Sequence, residues 1–145
     1  MSAAAPAPIV ARGVQTLGGM EVSEAVARRI LIVDDDTDMV TTCAQILTRF
    51  GYACLTASAG CEAIAMMDAE RPDLVVADLH MPGVDGLAVT RHARGRVPPI
   101  PVVLLTAWPS AKGVGDGRLA GATVRLTKPF ANTELVATVR RALRD

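Results

Sequence analysis

The chain has no net charge, no long apolar run and no closely spaced cysteine pair, and each absence removes a class of function. Its 145 residues carry fifteen basic and fifteen acidic side chains, so no global field draws it to a phosphate backbone and direct nucleic-acid binding is not expected. No stretch approaches the about 18 apolar residues that a membrane-spanning helix needs, and no basic segment followed by an unbroken apolar run opens the chain. Membrane insertion is therefore not expected, and the expected location is the cytoplasm. Cys43, Cys54 and Cys61 are odd in number and contain no C-x-x-C pair, which argues against a disulfide framework and a zinc ribbon. They read as small packing residues.

What remains is half hydrophobic and falls into two parts. Residues 1–28 begin with an Ala/Pro-rich run and pass through Gly18-Gly19, a composition that buries little surface and reads as a flexible tail. Met20, ten residues before Ile30, is a second candidate start. Residues 29–145 suffice for one α/β domain. Five apolar runs recur in it: Ile30–Val33, Ala53–Ala57, Leu74–Ala77, Ile100–Leu105 and Thr123–Thr127. Four show almost no polar alternation, as strands covered on both faces do, whereas Ala53–Ala57 is less apolar and reads as an edge.

Helical periodicity fills the gaps. Met39, Val40, Cys43, Ile46, Leu47 and Phe50 recur at three- and four-residue intervals, with Asp36 placed to cap the start and Gly51 to stop the end. Cys61–Glu70 is a second helix, ended by Arg71-Pro72, and Gly86–Arg94 a third. Ala111–Ala120 is the weak fourth, because Gly113, Gly115 and Gly117 each cost about 1 kcal/mol in a helix interior. Asn132–Leu143 is the fifth, with Asn132 as its cap.

An alternating βα series of this length is doubly wound, and such folds bind ligands beyond the carboxyl ends of their strands. The polar residues there are Asp34, Asp35 and Asp36 after the first run, Asp78 after the third, Thr106 after the fourth and Lys128 after the fifth. Converging carboxylates repel one another and are costly to desolvate unless a cation joins them. Oxygen-only ligation fits Mg2+, with Mn2+ as an alternative, and magnesium favours phosphate oxygens. Phosphoryl transfer follows as the natural chemistry: a carboxylate nucleophile, a metal and a lysine to neutralise phosphoryl oxygens, and a threonine hydroxyl to donate to them. An acidic triplet alone is as often a set of loop residues or caps. The joint placement decides, and Lys128 is one of only two lysines, with Lys112.

The segments Ile30–Asp36, Asp78–Gly86, Leu104–Ala107 and Lys128–Phe130 together resemble the receiver domain of bacterial two-component response regulators. Their separations, 43 residues from Asp35 to Asp78, 28 to Thr106 and 22 to Lys128, follow the family's order. The resemblance covers about Arg29 to Leu143. It implies a flavodoxin-like (βα)5 sheet with strand order 2-1-3-4-5 and helices on both faces. It implies that Asp78 accepts a phosphoryl group from a histidine kinase or phosphotransfer protein, with slow self-dephosphorylation, making the domain a phosphoacceptor and not an enzyme. Asp35 then matches a direct magnesium ligand, Asp34 one acting through water, and the backbone carbonyl of His80 a third protein ligand beside Asp78. Thr106 matches the hydroxyl that moves toward the phosphoryl group, Lys128 the cation that contacts it, and Pro129 a residue commonly preceded by a cis bond.

Departures and rivals complete the reading. The family's switching aromatic, three residues before the lysine, is Arg125 here, which suits solvent or an acidic partner better than an apolar pocket. The glycine-rich fourth-helix region is the expected substitute for its movement. Trp108, two residues past Thr106, is expected to obstruct attacking water and lengthen the life of the phosphoryl state, while His92 reads as a helix-surface residue. A haloacid-dehalogenase-like phosphatase would use Asp34 as nucleophile, but it needs a further metal-binding acid beyond the lysine. A degenerate receiver would act as a constitutive binding module. With the fifth helix ending at the C-terminus, a stand-alone receiver is expected, signalling by protein interaction or phosphorelay. The usual downstream partner face, formed by the fourth helix, fifth strand and fifth helix, carries Arg125, Arg140, Arg141 and Arg144, basic enough for an acidic partner.

Overall fold

A computed structural model describes residues 15–17, 20–22, 27–107 and 124–143. Its first elements lie in the stretch expected to be a tail: β1 (Gln15–Leu17) and β2 (Met20–Val22) pair antiparallel as a separate two-stranded sheet. Composition hid this ribbon, although a Gly-Gly dipeptide between two short runs is itself a hairpin signal. The main domain follows as β3 (Arg29–Val33), α1 (Thr37–Arg49), β4 (Ala53–Ala57), α2 (Gly60–Glu70), β5 (Leu74–Asp78), α3 (Gly86–Arg94), β6 (Val102–Thr106), β7 (Val124–Thr127) and α4 (Asn132–Leu143). The expected fourth helix at Ala111–Ala120 lies outside the described residues, as do Trp108 and Arg144.

The sheet is parallel throughout, in the order β4-β3-β5-β6-β7. That is the expected 2-1-3-4-5 order once the expected first strand is identified as β3, and it places Ala53–Ala57 at an edge. Alternate strand residues face opposite layers. Ile30, Ile32, Val76, Val103 and Leu105 pack with α1 and α4, whereas Leu31, Val33, Val75, Ala77 and Leu104 pack with α2 and α3. Burial on both faces explains why β3, β5 and β6 lack polar alternation.

Local chemistry sets the helix ends. Asp36 caps α1 as expected, its carboxylate accepting from the N–H groups of Asp38 and Met39, and Gly51 follows the helix at φ 96°. Asp85 caps α3 by accepting from the Ala88 N–H. Asn132 is not the cap of α4 but its first residue. The cap position belongs to Ala131, whose carbonyl accepts from Glu134 and Leu135 and whose N–H donates to the Glu134 carboxylate. A glutamate three residues into the helix thus supplies half of a capping box. Ile100 and Pro101 fall outside β6, consistent with proline's inability to donate to a ladder. Cys43 and Cys54 are buried packing residues, but Cys61 is exposed.

Candidate functional site

Asp34 directly follows β3, Asp78 and Thr106 are the last residues of β5 and β6, and Lys128 directly follows β7. Because these strands are parallel and neighbours, their carboxyl ends bring four distant residues to one rim. Asp34 is only 1% exposed, Asp78 and Thr106 are also buried, and Asp35 is open to solvent. The loop connections fix the rim: the Leu79 N–H donates to the Leu105 carbonyl, and the Lys128 N–H donates to the Thr106 carbonyl. Lys128-Pro129 is cis, matching the family's habit at this position.

The ammonium of Lys128 bridges two carboxylates. Its Nζ lies 2.8 Å from Asp78 Oδ1 and 3.3 Å from Asp34 Oδ2. Asp34 Oδ1 accepts the Asp36 N–H at 3.0 Å, so both of its oxygens are engaged by internal donors. Burial pushes the Asp34 carboxyl above the usual carboxylate range, against the opposing pull of the Asp36 N–H; the nearby Asp78 charge raises it further and Lys128 lowers it. Desolvation draws Lys128 down, but its hydrogen bond and charge contacts with Asp78, then Asp34, outweigh this and hold it above the ordinary lysine value.

Asp34, Asp35 and Asp78 each present a carboxylate oxygen, and these atoms lie within 4.8 Å of one another. Three carboxylates face one ammonium, so the local charge remains negative when all are ionised. The donors are hard oxygens only, and Asp35 keeps one side of the cluster open to water. This donor set fits a divalent ion of the magnesium type, which retains waters, and not the nitrogen and sulfur preference of zinc.

The structure therefore gathers Asp34, Asp35, Asp78 and Lys128 into one cluster, and places Thr106 on the same rim. His80 lies on the loop two residues past Asp78 with its side chain exposed. Arg125 is exposed on β7, as its chemistry suggested. His92, read as a helix-surface residue, lies part-exposed on α3, where it contacts Asp68 on α2 at 2.9 Å, and Asp68 also meets Arg96 at 3.0 Å.

One positioning residue escaped the sequence reading. A Cβ at Gly86 would collide with the Asp78 carbonyl oxygen and lie 2.7 Å from the Leu79 Cα, so only glycine lets α3 begin this close to the end of β5. Its N–H donates to the Leu79 carbonyl at 3.0 Å. The Asp85-Gly86 pair was the available signal, but sequence gave no indication that the missing side chain faces Asp78.

Comparison with known proteins agrees with this geometry. A family model described as the response regulator receiver domain matches residues 30–140. Response regulator MprA of Mycobacterium tuberculosis is 42% identical over 116 residues, covering 80% of this chain and 50% of that protein. The Mycobacterium avium MprA is 41% identical over 116 residues, with coverage of 80% and 51%. The chain thus spans about half the length of the curated relatives it matches. Among solved structures, chemotaxis protein CheY4 of Vibrio cholerae superposes with a TM-score of 0.75 at 29% identity, covering 81% of this chain and 99% of that one. The receiver domain of a sensor histidine kinase from Pseudomonas aeruginosa, with a magnesium ion coordinated in its active site cleft, gives 0.74 at 26% identity, with coverage of 83% and 100%.

Proposed function

The chain belongs to the response regulator receiver domain family, and on that premise we propose that Asp78 accepts a phosphoryl group from a histidine kinase or phosphotransfer protein and passes the signal on by protein interaction or phosphorelay. The observation that carries this reading is the 2.8 Å contact between Lys128 Nζ and Asp78 Oδ1 inside a cluster of three carboxylates. An Asp78 carboxylate oxygen attacks phosphorus and forms an acyl phosphate, while the N–P bond to the donor imidazole breaks. The departing nitrogen keeps the electron pair and takes up a proton. Lys128 neutralises the phosphoryl oxygens in the transition state, and the Thr106 hydroxyl donates to one of them.

Asp34, Asp35, Asp78 and the His80 carbonyl would hold Mg2+, or Mn2+ in its place. When bound, that ion supplies positive charge to the transferring group and relieves the repulsion among the carboxylates. Water attack on the acyl phosphate, releasing Asp78, would be slow, so the domain serves as a phosphoacceptor and not as a turnover enzyme. Among the described residues no helix is long and apolar enough to cross a membrane, which is compatible with a cytoplasmic site of action. The downstream partner would meet β7 and α4, together with residues 111–120, where Arg125, Arg140 and Arg141 are exposed.

A phosphatase using Asp34 as nucleophile is disfavoured. Both Asp34 oxygens already accept internal donors, and the family match is to receivers. Incubation with acetyl phosphate and magnesium, followed by peptide mapping, tests the assignment. The expected label lies on Asp78 and disappears in Asp78→Asn. Label on Asp34 would support the phosphatase chemistry, and absence of label would support a constitutive binding module.

A further inference from the structure

We propose that the amino edge of the sheet, between α2 and α3 and opposite the acidic rim, is a docking site for an acidic, partly apolar peptide segment of a partner protein. A recess of about 170 Å3 opens there, lined by Arg71, Pro72, Asp73, Arg96, Pro98 and Ile100. Its walls are held by backbone bonds. The Asp73 N–H donates to the Arg29 carbonyl, the Ile100 N–H to the Ala93 carbonyl and the Val75 N–H to the Pro101 carbonyl. Two prolines add stiffness, so little ordering entropy is lost when a segment seats there.

Charge complementarity identifies the occupant. Asp68 is engaged by His92 and Arg96, Glu70 by Arg29, and Asp73 accepts the Arg29 backbone N–H. The acids of this edge are therefore occupied. Arg71 is exposed and, among the described residues, makes no ion pair, its charge reaching Asp68 only at longer range. Arg91 and Arg94 are exposed in the last turn of α3. Beside these cations stands Val97, 88% exposed, with exposed Pro98 and Pro99. Guanidinium forks suit carboxylates, and the neighbouring apolar atoms give an alternating acidic and apolar segment something to bury.

Cations near helix ends also complement the helix dipole, which covers the charge of Arg71 at the end of α2 but not its backbone conformation. This residue adopts φ 49°, the left-handed conformation that follows many helices and that glycine adopts without strain. An arginine there is locally unfavourable, and local strain kept at an exposed charged residue points to a contact outside the chain. The separation from Asp78, at the other end of β5, leaves docking compatible with phosphorylation.

The test uses the full chain labelled with 15N and a synthetic peptide alternating leucine with aspartate and glutamate. Expected are salt-sensitive amide shifts centred on Arg71, Asp73, Arg96 and Ile100, and no response to the same peptide with lysine for each acid. Arg71→Gly is expected to weaken binding about tenfold while leaving Tm unchanged or higher, and Arg71→Lys, which keeps the charge without the fork, to lose less than Arg71→Gly. Labelling of Asp78 should be unaffected in both variants. Shifts centred on Arg125, Arg140 and Arg141, no shifts at all, or unchanged binding in Arg71→Gly would overturn the proposal. So would the same shifts with inorganic phosphate at equal affinity, which would make the recess a small-anion site.

Discussion

Lys128 and Asp78, from the ends of β7 and β5 on either side of β6, meet at 2.8 Å, and the same ammonium reaches Asp34 at 3.3 Å. One cation therefore holds two buried carboxylates. Lys128→Met is expected to slow phosphoryl acceptance by about 10²–10³, the usual loss when a transition-state donor is removed. It should also cost about 1–3 kcal/mol in chelator, below the full value for breaking a buried pair, because the lysine side chain remains 22% exposed. Lys128→Arg keeps the charge with a different reach and should recover stability better than rate. Labelling rates and urea midpoints on the same proteins check both parts; an unchanged rate in Lys128→Met would remove the lysine from the chemistry.

Asp34 has the opposite relation to stability. Burial and the Asp78 charge act against its ionised form, so Asp34→Asn should stabilise the protein in chelator by about 1 kcal/mol, as substitutions in strained functional sites often do. The same substitution should abolish most of the response to magnesium. In the unsubstituted protein, Mg2+ at a hundred times its Kd should add about 2.7 kcal/mol. Thermal melts with and without the ion separate the two effects, and equal magnesium stabilisation of both proteins would exclude Asp34 from the metal site.

The strands and the acidic rim were legible because they depend on runs and on residues immediately following them, whereas the 2-1-3-4-5 order followed only from the family resemblance. Ile30–Val33 and Asp34 needed only the rule that a two-sided parallel strand is apolar and its carboxyl end functional. The cap of α4 was misplaced because Asn132 and Glu134 are both capping residues, and which one acts depends on the backbone at Ala131. The Asp68–His92–Arg96 cluster was invisible because Asp68 lies on α2, His92 on α3 and Arg96 just past its end, and the relative rotation of the two helices is set by packing, with Ala63 and Met67 of α2 and Val89 and Ala93 of α3 in one apolar cluster. Gly86 shows the same limit, since its role depends on a close approach and no local pattern encodes that.

Gly86 and Gly83 should respond differently to alanine. Gly86→Ala drives a methyl into the Asp78 carbonyl and the Leu79 backbone, and overpacking of this kind costs about 1–3 kcal/mol. The displaced loop should also slow labelling of Asp78. Gly83 sits at φ 73° with nothing within 4 Å of an added Cβ, so Gly83→Ala carries only the left-handed backbone penalty of roughly 1–2 kcal/mol. Its labelling rate should stay near that of the unsubstituted protein. Equal slowing in both variants would mean that loop strain, and not the contact at Gly86, governs the site.

The α2–α3 bridge should give acid sensitivity with a defined sign. The His92 hydrogen bond holds the Asp68 carboxyl below its ordinary value of 3.8 against an opposing desolvation, with further help from the charges of His92, Arg96 and Arg71. Its folded-state value is thus depressed, so its contribution is present above pH 3.8 and disappears as pH falls through the folded value. Asp68 is open to solvent and the effect should be modest and salt-dependent. Asp68→Asn should lower the urea midpoint at neutral pH, and the gap to the unsubstituted protein should close below pH 3.8. A gap that persists at low pH would assign the loss to packing and not to charge.

The three thiols should separate by reactivity. Burial, with a smaller push from the Asp34 charge, raises Cys43 from 9.0 to about 11, and burial also raises Cys54. Both should stay protonated and shielded at pH 8, so a disulfide reagent should modify one exposed thiol, Cys61, before unfolding releases the other two. Cys61→Ser should abolish the fast phase. The raised Cys43 value also fixes a direction in alkali. Its stability contribution is complete below pH 9, where neither state ionises the thiol, and is lost as pH climbs toward 11, because the unfolded chain gives up its proton first. The urea midpoint should therefore fall across that window in Cys61→Ser as in the parent, and a midpoint that stays level from pH 9 to 11 would show that Cys43 ionises as freely in the folded protein as in the unfolded one.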